Sequence, residues 1–165
     1  MNALNVVTLE QAKLFLRLDP DYTYDDTLIE SLIKSCVQEV ELKTQQILYQ
    51  RVITTKNSVN RLYIYEYPLL SIETVVNTDA EELTYETDET DNYTLVSTDA
   101  TGIKTVTFVA GYGWDYEGGT EVPDAIQTAL KEMITYLYEN RDNPKTEYPA
   151  IVNILLAPYR RITLF

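Results

Sequence analysis

Eight carboxylates, Asp79, Glu81, Glu82, Glu86, Asp88, Glu89, Asp91 and Asp99, fall between positions 79 and 99 with no Lys or Arg among them. Clustered carboxylates are the ligands that calcium and magnesium prefer. A calcium loop begun at Asp88 would place Tyr93 where the turn demands glycine and Asp99 where a bidentate glutamate belongs. The segment therefore reads as a solvated acidic hairpin or loop. Gly111-Tyr112-Gly113 follows a β-rich stretch, as a dinucleotide loop would, but Tyr116 stands at the place of the third glycine and no helix follows at once. It reads as a glycine-rich exit from the strands. Paired acids can hydrolyse glycosides, yet 26 acidic residues single out no pair. Histidine is absent, which removes serine and cysteine nucleophile systems that depend on it, and every histidine metal motif. Cys36 is the one cysteine. It lies on an apolar helical stripe and reads as a small core residue, with no disulfide partner and no companions for zinc. No catalytic residue, cofactor or metal site is predicted.

The chemistry left to such a chain is recognition. The net charge is −13, and DNA binding normally needs a basic footprint. Fourteen tyrosines are an excess. Tyr63, Tyr65 and Tyr67 alternate, so an extended strand would set all three on one face, with Leu62 and Ile64 turned to the core. Tyrosine buries area and keeps a polar handle, which suits a protein interface. The chain ends Pro158-Tyr159-Arg160-Arg161-Ile162-Thr163-Leu164-Phe165. Two arginines in an acidic chain, beside a tyrosine, are interface anchors by type. A helix C-terminus also favours cations, so local stabilisation accounts for part of this pattern.

The elements that must hold these residues follow from periodicity. Thr8-Leu9-Glu10-Gln11 fits a capping box opening a first helix, with Asp19-Pro20-Asp21 closing it. Asp25 or Asp26 caps a second helix over about 26–48, where Ile29, Leu32, Ile33, Cys36, Val37 and Val40 form one stripe. Residues 50–110 then read as β: 51–55, a turn at 57–60 with a returning strand at 62–65, then 69–76, 83–85, 93–96 and 105–109. Pro123 opens a third helix carrying Ile126, Ala129, Leu130, Met133 and Ile134. A last helix starts near Pro149 and ends at Pro158. The fold class is α+β: a bundle of four helices, two N-terminal and two C-terminal, with a β insertion at 50–110, in one domain over 1–165. No apolar run reaches membrane length. The first residues lack signal-peptide character, so a cytosolic origin is expected.

Several pieces of this sequence resemble the head–tail connector family of tailed bacteriophages. They are Val7-Thr8-Leu9-Glu10-Gln11-Ala12-Lys13, Leu16-Arg17-Leu18-Asp19, Asp25-Asp26-Thr27-Leu28-Ile29, Gly111-Tyr112-Gly113, Val122-Pro123, Tyr138-Glu139-Asn140-Arg141 and Leu155-Leu156-Ala157-Pro158-Tyr159-Arg160. The acidic stretch at 79–99 has no counterpart in that pattern. The resemblance implies helices around a β portion, no catalysis, and a homo-oligomeric ring of about twelve copies between portal and tail or stopper proteins. It implies location in the virion, with assembly in the host cytoplasm, and genomic DNA passing through without specific binding. It also implies that Pro158, Tyr159, Arg160, Arg161 and Phe165 contact the portal; the tyrosine alternation, read from the residues, leaves Tyr63, Tyr65 and Tyr67 as a candidate subunit interface. A stopper or tail-completion protein is the neighbouring alternative. An acidic DNA-mimic inhibitor, supported by charge alone, is the alternative of another class.

Overall fold

A computed structural model describes residues 2–90, 93–113, 115, 117–141 and 147–161. The chain is α+β, with four α-helices and two small antiparallel sheets among these residues. Helices α1 (Leu9–Phe15) and α2 (Asp26–Thr44) precede strands β1 (Arg51–Asn57), β2 (Arg61–Ile64), β3 (Leu69–Val76), β4 (Glu86–Glu89), β5 (Thr94–Ser97) and β6 (Lys104–Ala110). Helices α3 (Asp124–Glu139) and α4 (Ala150–Leu156) follow. The helix order has two elements beyond the expected four, because one-turn 3-10 helices at Ala3–Asn5 and Ala157–Tyr159 flank the set. Among the described residues no helix is long and apolar enough to cross a membrane.

The capping box forms as its spacing requires. Gln11 N–H donates to Thr8 Oγ1 at 3.1 Å, and Thr8 N–H to Gln11 Oε1 at 3.0 Å. Helix α1 stops at Phe15, earlier than the proline signal implied. Arg17 takes a left-handed φ of 58°, and Leu18 N–H returns to the Lys13 carbonyl at 3.0 Å, a closure normally made by glycine. Lys13, nearly buried, reaches Asp26 at 2.6 Å and pins α1 to the first turn of α2. Helix α2 stops at Thr44 rather than 48, because Gln45 turns left-handed (φ 56°) and lets Glu41 accept its N–H.

The apolar stripes of α2 and α3 meet in a first core with Val6, Val7, Leu48, Tyr112, Val152 and Leu156. The strands build a second. Sheet order is β1-β6-β3 and β2-β5-β4. Ile64 and Val96 from one sheet meet Val75, Val106 and Phe108 from the other. The returning strand at 62–65 does not pair with β1. β1 lies on β6 and β2 on β5, so the 57–60 turn crosses between sheets instead of closing a hairpin. Buried Lys104 explains this, since its Nζ donates to the Val59 carbonyl (3.2 Å) and Asn60 Oδ1 (3.0 Å) and holds the turn over the end of β6. Residues 83–85 supply only the approach to β4: Leu83 N–H bonds to the Val75 carbonyl at 2.8 Å, and the strand itself begins at Glu86.

The two ends of the helical layer are joined through Asp25. Its Oδ2 accepts from Tyr138 Oη at 2.5 Å and Tyr22 Oη at 3.3 Å, with Arg141 at 3.6 Å. The Tyr138 hydrogen bond, helped by Arg141 and Tyr22 and opposed by partial burial, holds the Asp25 carboxyl below the usual carboxylate range. A folded pKa below the unfolded value of about 3.9 contributes stability that is complete above that pH and fades as pH falls through the folded value. Asp25→Asn should therefore be less stable than the natural chain at pH 7. The gap should narrow below about pH 4, as read from urea midpoints across a pH series.

A second prediction concerns glycine. Gly111 has φ +117°, and a Cβ there would sit 2.4 Å from the Tyr49 carbonyl oxygen. Gly102 is also left-handed (φ +90°), but a Cβ there meets nothing within 4 Å. Gly102→Ala should cost about 1 kcal/mol and Gly111→Ala roughly 3 kcal/mol or more, by denaturant unfolding.

Candidate functional site

The tail singled out in the sequence is seated on the molecule rather than extended from it. Gln46 makes the seat. It follows the left-handed end of α2 and is 5% exposed. Its Nε2 donates to the Tyr159 carbonyl at 2.7 Å, and its Oε1 accepts from Tyr112 Oη at 2.8 Å. One amide thus uses its donor on the tail and its acceptor on the loop that leaves β6. Burial raises the Tyr112 phenol to about 12, so this hydroxyl stays protonated and remains a donor. Arg161 N–H donates to the Thr44 carbonyl at 3.0 Å, which satisfies an α2 carbonyl beyond the reach of the helix's own donors. The two attachments that fix the tail's path are backbone groups of the tail, so they do not depend on its side chains.

Those side chains differ in fate. Pro158 and Arg160 are exposed, Tyr159 and Arg161 half-buried. Arg160 donates to Asn153 Oδ1 at 3.0 Å. The Arg161 guanidinium lies over the Tyr67 ring at 3.9 Å, within the range of a cation–π contact. Phe165 lies outside the described residues.

The tyrosine alternation is divided by the fold. β2 ends at Ile64, so only Tyr63 belongs to the strand. Tyr63 and Tyr65 stack at 6.4 Å, and Tyr93 meets both edge-on at 5.1 and 6.0 Å. Tyr67 leaves this group for Arg161. Ile64 is buried and Leu62 half-buried against the sheet core, as alternation required. Even so, the two features converge: Tyr65, Tyr67, Tyr93, Glu66, Glu89 and Arg161 line one pocket of about 100 Å³. That volume is well below what organic ligands occupy, roughly 300 Å³ and up. The pocket presents aromatic faces, one guanidinium and two carboxylates.

The acidic segment is an exposed edge. β4 pairs with β5 on one side, and all four of its residues are exposed. Asp91 lies outside the described residues. No three acidic or cysteine side chains gather to hold a metal among the described residues. Gly111 and Gly113 both take positive φ, and Gly113 bonds to Thr120 (2.7 Å) and through its carbonyl to Gln50 (2.7 Å). This is a close-packed turn rather than a phosphate loop. Cys36 is fully buried, and burial, with Glu39 nearby, raises its thiol to about 12. A thiol so poor in thiolate is no nucleophile.

The sequence profile of the phage gp6-like head-tail connector proteins matches residues 6–106. The chain belongs to that family. The match takes in α1, α2 and all the strands except the last residues of β6, so the capping-box opening and Gln46 fall inside it, while Tyr112 and Tyr159, the partners of Gln46, lie beyond it. This connector also shares its fold with solved neck proteins. A chain from the neck of an empty GTA particle computed with C6 symmetry has TM-score 0.75 at 14% identity, covering 98% of this chain and 92% of that one. A chain from the virion of a native gene transfer agent particle gives 0.75 at 14%, covering 100% and 94%. A chain from a native GTA neck computed with C12 symmetry gives 0.70 at 13%, covering 97% and 93%. No curated protein matches the sequence significantly.

Sequence reasoning missed Gln46 and Lys104, two of the buried polar side chains that join separate parts of the connector. The doublet Gln45-Gln46 was a usable signal, because it interrupts the apolar stripe one turn before Leu48. Gln46→Leu removes both hydrogen bonds and strands the buried Tyr112 hydroxyl. It should cost roughly 2–4 kcal/mol, while Tyr112→Phe should cost about half as much, by chemical unfolding.

Proposed function

We propose that this connector forms a homo-oligomeric ring of about twelve copies between the portal and the tail or stopper proteins, in the virion after assembly in the host cytoplasm. The observation that carries this reading is the seated tail. Family membership supplies the head–tail connector class, and the tail supplies a preorganised surface for a neighbouring protein. Tyr159, Arg160 and Arg161 are held by backbone bonds to Gln46 and Thr44, so little ordering cost remains when they dock. Pro158 and the exposed Arg160 lead the contact with the portal, and Phe165 extends it. Tyr63, Tyr65 and Tyr67 sit beside the tail's pocket and serve the contact between subunits.

In this reading the whole chain works as one connector unit. Two helices before the strands and two after them make its base, and 50–110 is a β-rich insertion upon it. The protein has no catalytic role. DNA passes the ring without being gripped, since a chain of net charge −13 offers a phosphate backbone no basic track.

The test is co-expression with the cognate portal. The natural chain should co-purify with it. Arg160→Glu combined with Arg161→Ala should weaken association about tenfold or more, with only a small fall in unfolding midpoint from the lost Arg161–Tyr67 and Arg160–Asn153 contacts. Undiminished binding by this variant would remove the tail from the docking surface. Failure of the natural chain to associate, together with normal tail joining in particles lacking it, would overturn the connector role.

A further inference from the structure

The edges of the two sheets are protected by different devices, and one edge has none. β1 and β3 flank β6, and β2 and β4 flank β5. β3 is broken by register shifts between Leu69 and Ser71 and between Ile72 and Thr74. β2 and β4 are four residues long, and β4 carries three carboxylates. Bulges, shortness and charge are the usual guards against stray strand pairing. β1 is seven residues long and keeps an unbroken register on β6, from Arg51 opposite Ala110 to Asn57 opposite Lys104. Its centre, Val52-Ile53-Thr54-Thr55, is uncharged and β-branched. Among the described residues no backbone group bonds to its outer side. An open cleft of about 510 Å³ lies between α2 and the start of β1, with Leu42, Ile47, Ile53 and Tyr65 along it. Leu42 is 73% exposed, the one largely bare apolar side chain on α2. Two of the three charged groups in the cleft, Glu41 and Arg51, satisfy each other at 3.2 Å. The cleft therefore suits an uncharged, apolar strand.

The chain brings such a strand to this spot. Arg161 N–H is held by the Thr44 carbonyl at 3.0 Å, and Gln45 and Gln46, the residues after Thr44, line the cleft. Tyr65 and Glu66 line both this cleft and the pocket that holds Arg161. Ile162-Thr163-Leu164-Phe165 comes next, outside the described residues, uncharged and made of apolar and β-branched side chains. Four extended residues span roughly 13 Å, and these four start at the wall the two pockets share. We propose that residues 162–165 lie in the cleft of their own copy, as a short strand against the outer edge of β1. Their main chain takes up free N–H and C=O groups at the start of β1, and their side chains cover Leu42 and Ile53. A covered edge is closed to stray pairing. This inference does not rest on the portal reading. The seat is that of the connector before docking, and the portal contact proposed for Phe165 draws the segment off it.

The test needs only the full chain. Leu42→Cys with Leu164→Cys, under mild oxidation, should form a disulfide within one chain, seen as a faster monomer band on a non-reducing gel. Buried Cys36 stays out of reach. Leu14→Cys with Leu164→Cys, whose α1 position is comparably exposed at 78%, should react at least about tenfold more slowly. With no cysteine added, Leu164→Asp with Phe165→Asp should speed hydrogen exchange about tenfold at the β1 amides that do not face β6, and leave the β6 amides unchanged. Equal disulfide rates for the two pairs, a disulfide that joins two chains instead of one, or β1 amides indifferent to the aspartates overturns the seat. The portal is absent from every arm, so failure of the seat leaves the portal reading standing, and a portal that does not bind leaves the seat standing.

Discussion

The structure depends on how residues 45–50 pass from the helical core to the sheets. Ile47 buries in the sheet core and Leu48, its neighbour, in the helical core. Two successive side chains therefore face two different interiors, and the backbone between them must be fixed. The bonds that fix it come from distant parts of the chain. Ile47 N–H bonds to the Tyr67 carbonyl at 2.7 Å, and the Ile47 carbonyl accepts from Tyr112 N–H at 3.2 Å. Leu48 N–H bonds to Glu41 Oε1 at 2.8 Å, and the other oxygen of Glu41 holds Arg51 at 3.2 Å. Gly111 passes so close to Tyr49 that no Cβ fits. A buried backbone must find partners for its polar groups, and here each partner is a piece of a different element. The tail is one more of these pieces, since Gln46 takes the Tyr159 carbonyl.

Charge is distributed to suit this plan. The two buried cations among the described residues are each spent on a joint, Lys13 between α1 and α2 and Lys104 across the 57–60 turn, and the partly exposed Arg51 links α2 to β1. A buried ammonium is costly unless it is fully hydrogen-bonded, and both lysines have carbonyl or carboxylate oxygens within 3.4 Å. The carboxylates are mostly placed outside, where they cost little. Among the exceptions, Asp25, Glu39 and Glu41 tie α2 to later elements, and Asp26 ties it back to α1 through Lys13. Glu39 accepts from Tyr148 Oη at 2.6 Å, which draws the approach to α4 onto α2. Helix α2 is thus the spine to which the front, middle and back of the chain are bound.

Much of this was legible in the sequence, and the divisions follow physical lines. Helices with long apolar stripes were read correctly in kind because 3.6-residue periodicity is a local property, visible at Ile29, Ile33, Cys36, Val37 and Val40. Their ends were less legible. Arg17 and Gln45 close helices in a left-handed conformation that glycine usually supplies, so no residue type announced it. Pairing of strands was the least legible. The 57–60 turn looks like a hairpin because Asn57 and Asn60 are turn residues, and it does turn. Which strand lies beside β1 was decided by β6, about a third of the chain away, through Val106 and Phe108. The tyrosine alternation was read rightly as a pattern and wrongly as a strand, because β2 stops at Ile64.

The tail and the tyrosines converge at one place, where Arg161 lies over the Tyr67 ring. Neither feature required the other in the sequence, since nearly a hundred positions separate Tyr67 from Arg161. They meet because the Tyr67 carbonyl itself accepts from Ile47 N–H, and Arg161 lies just past the Tyr159-to-Gln46 bond. Both are therefore outward continuations of the same junction. A surface built on the most constrained point of a molecule moves least when it is loaded. Rigid placement lowers the ordering cost of docking, and a component held between two larger assemblies gains most from it. The same placement explains why the tail needs no core of its own: its backbone is held by Gln46 and Thr44.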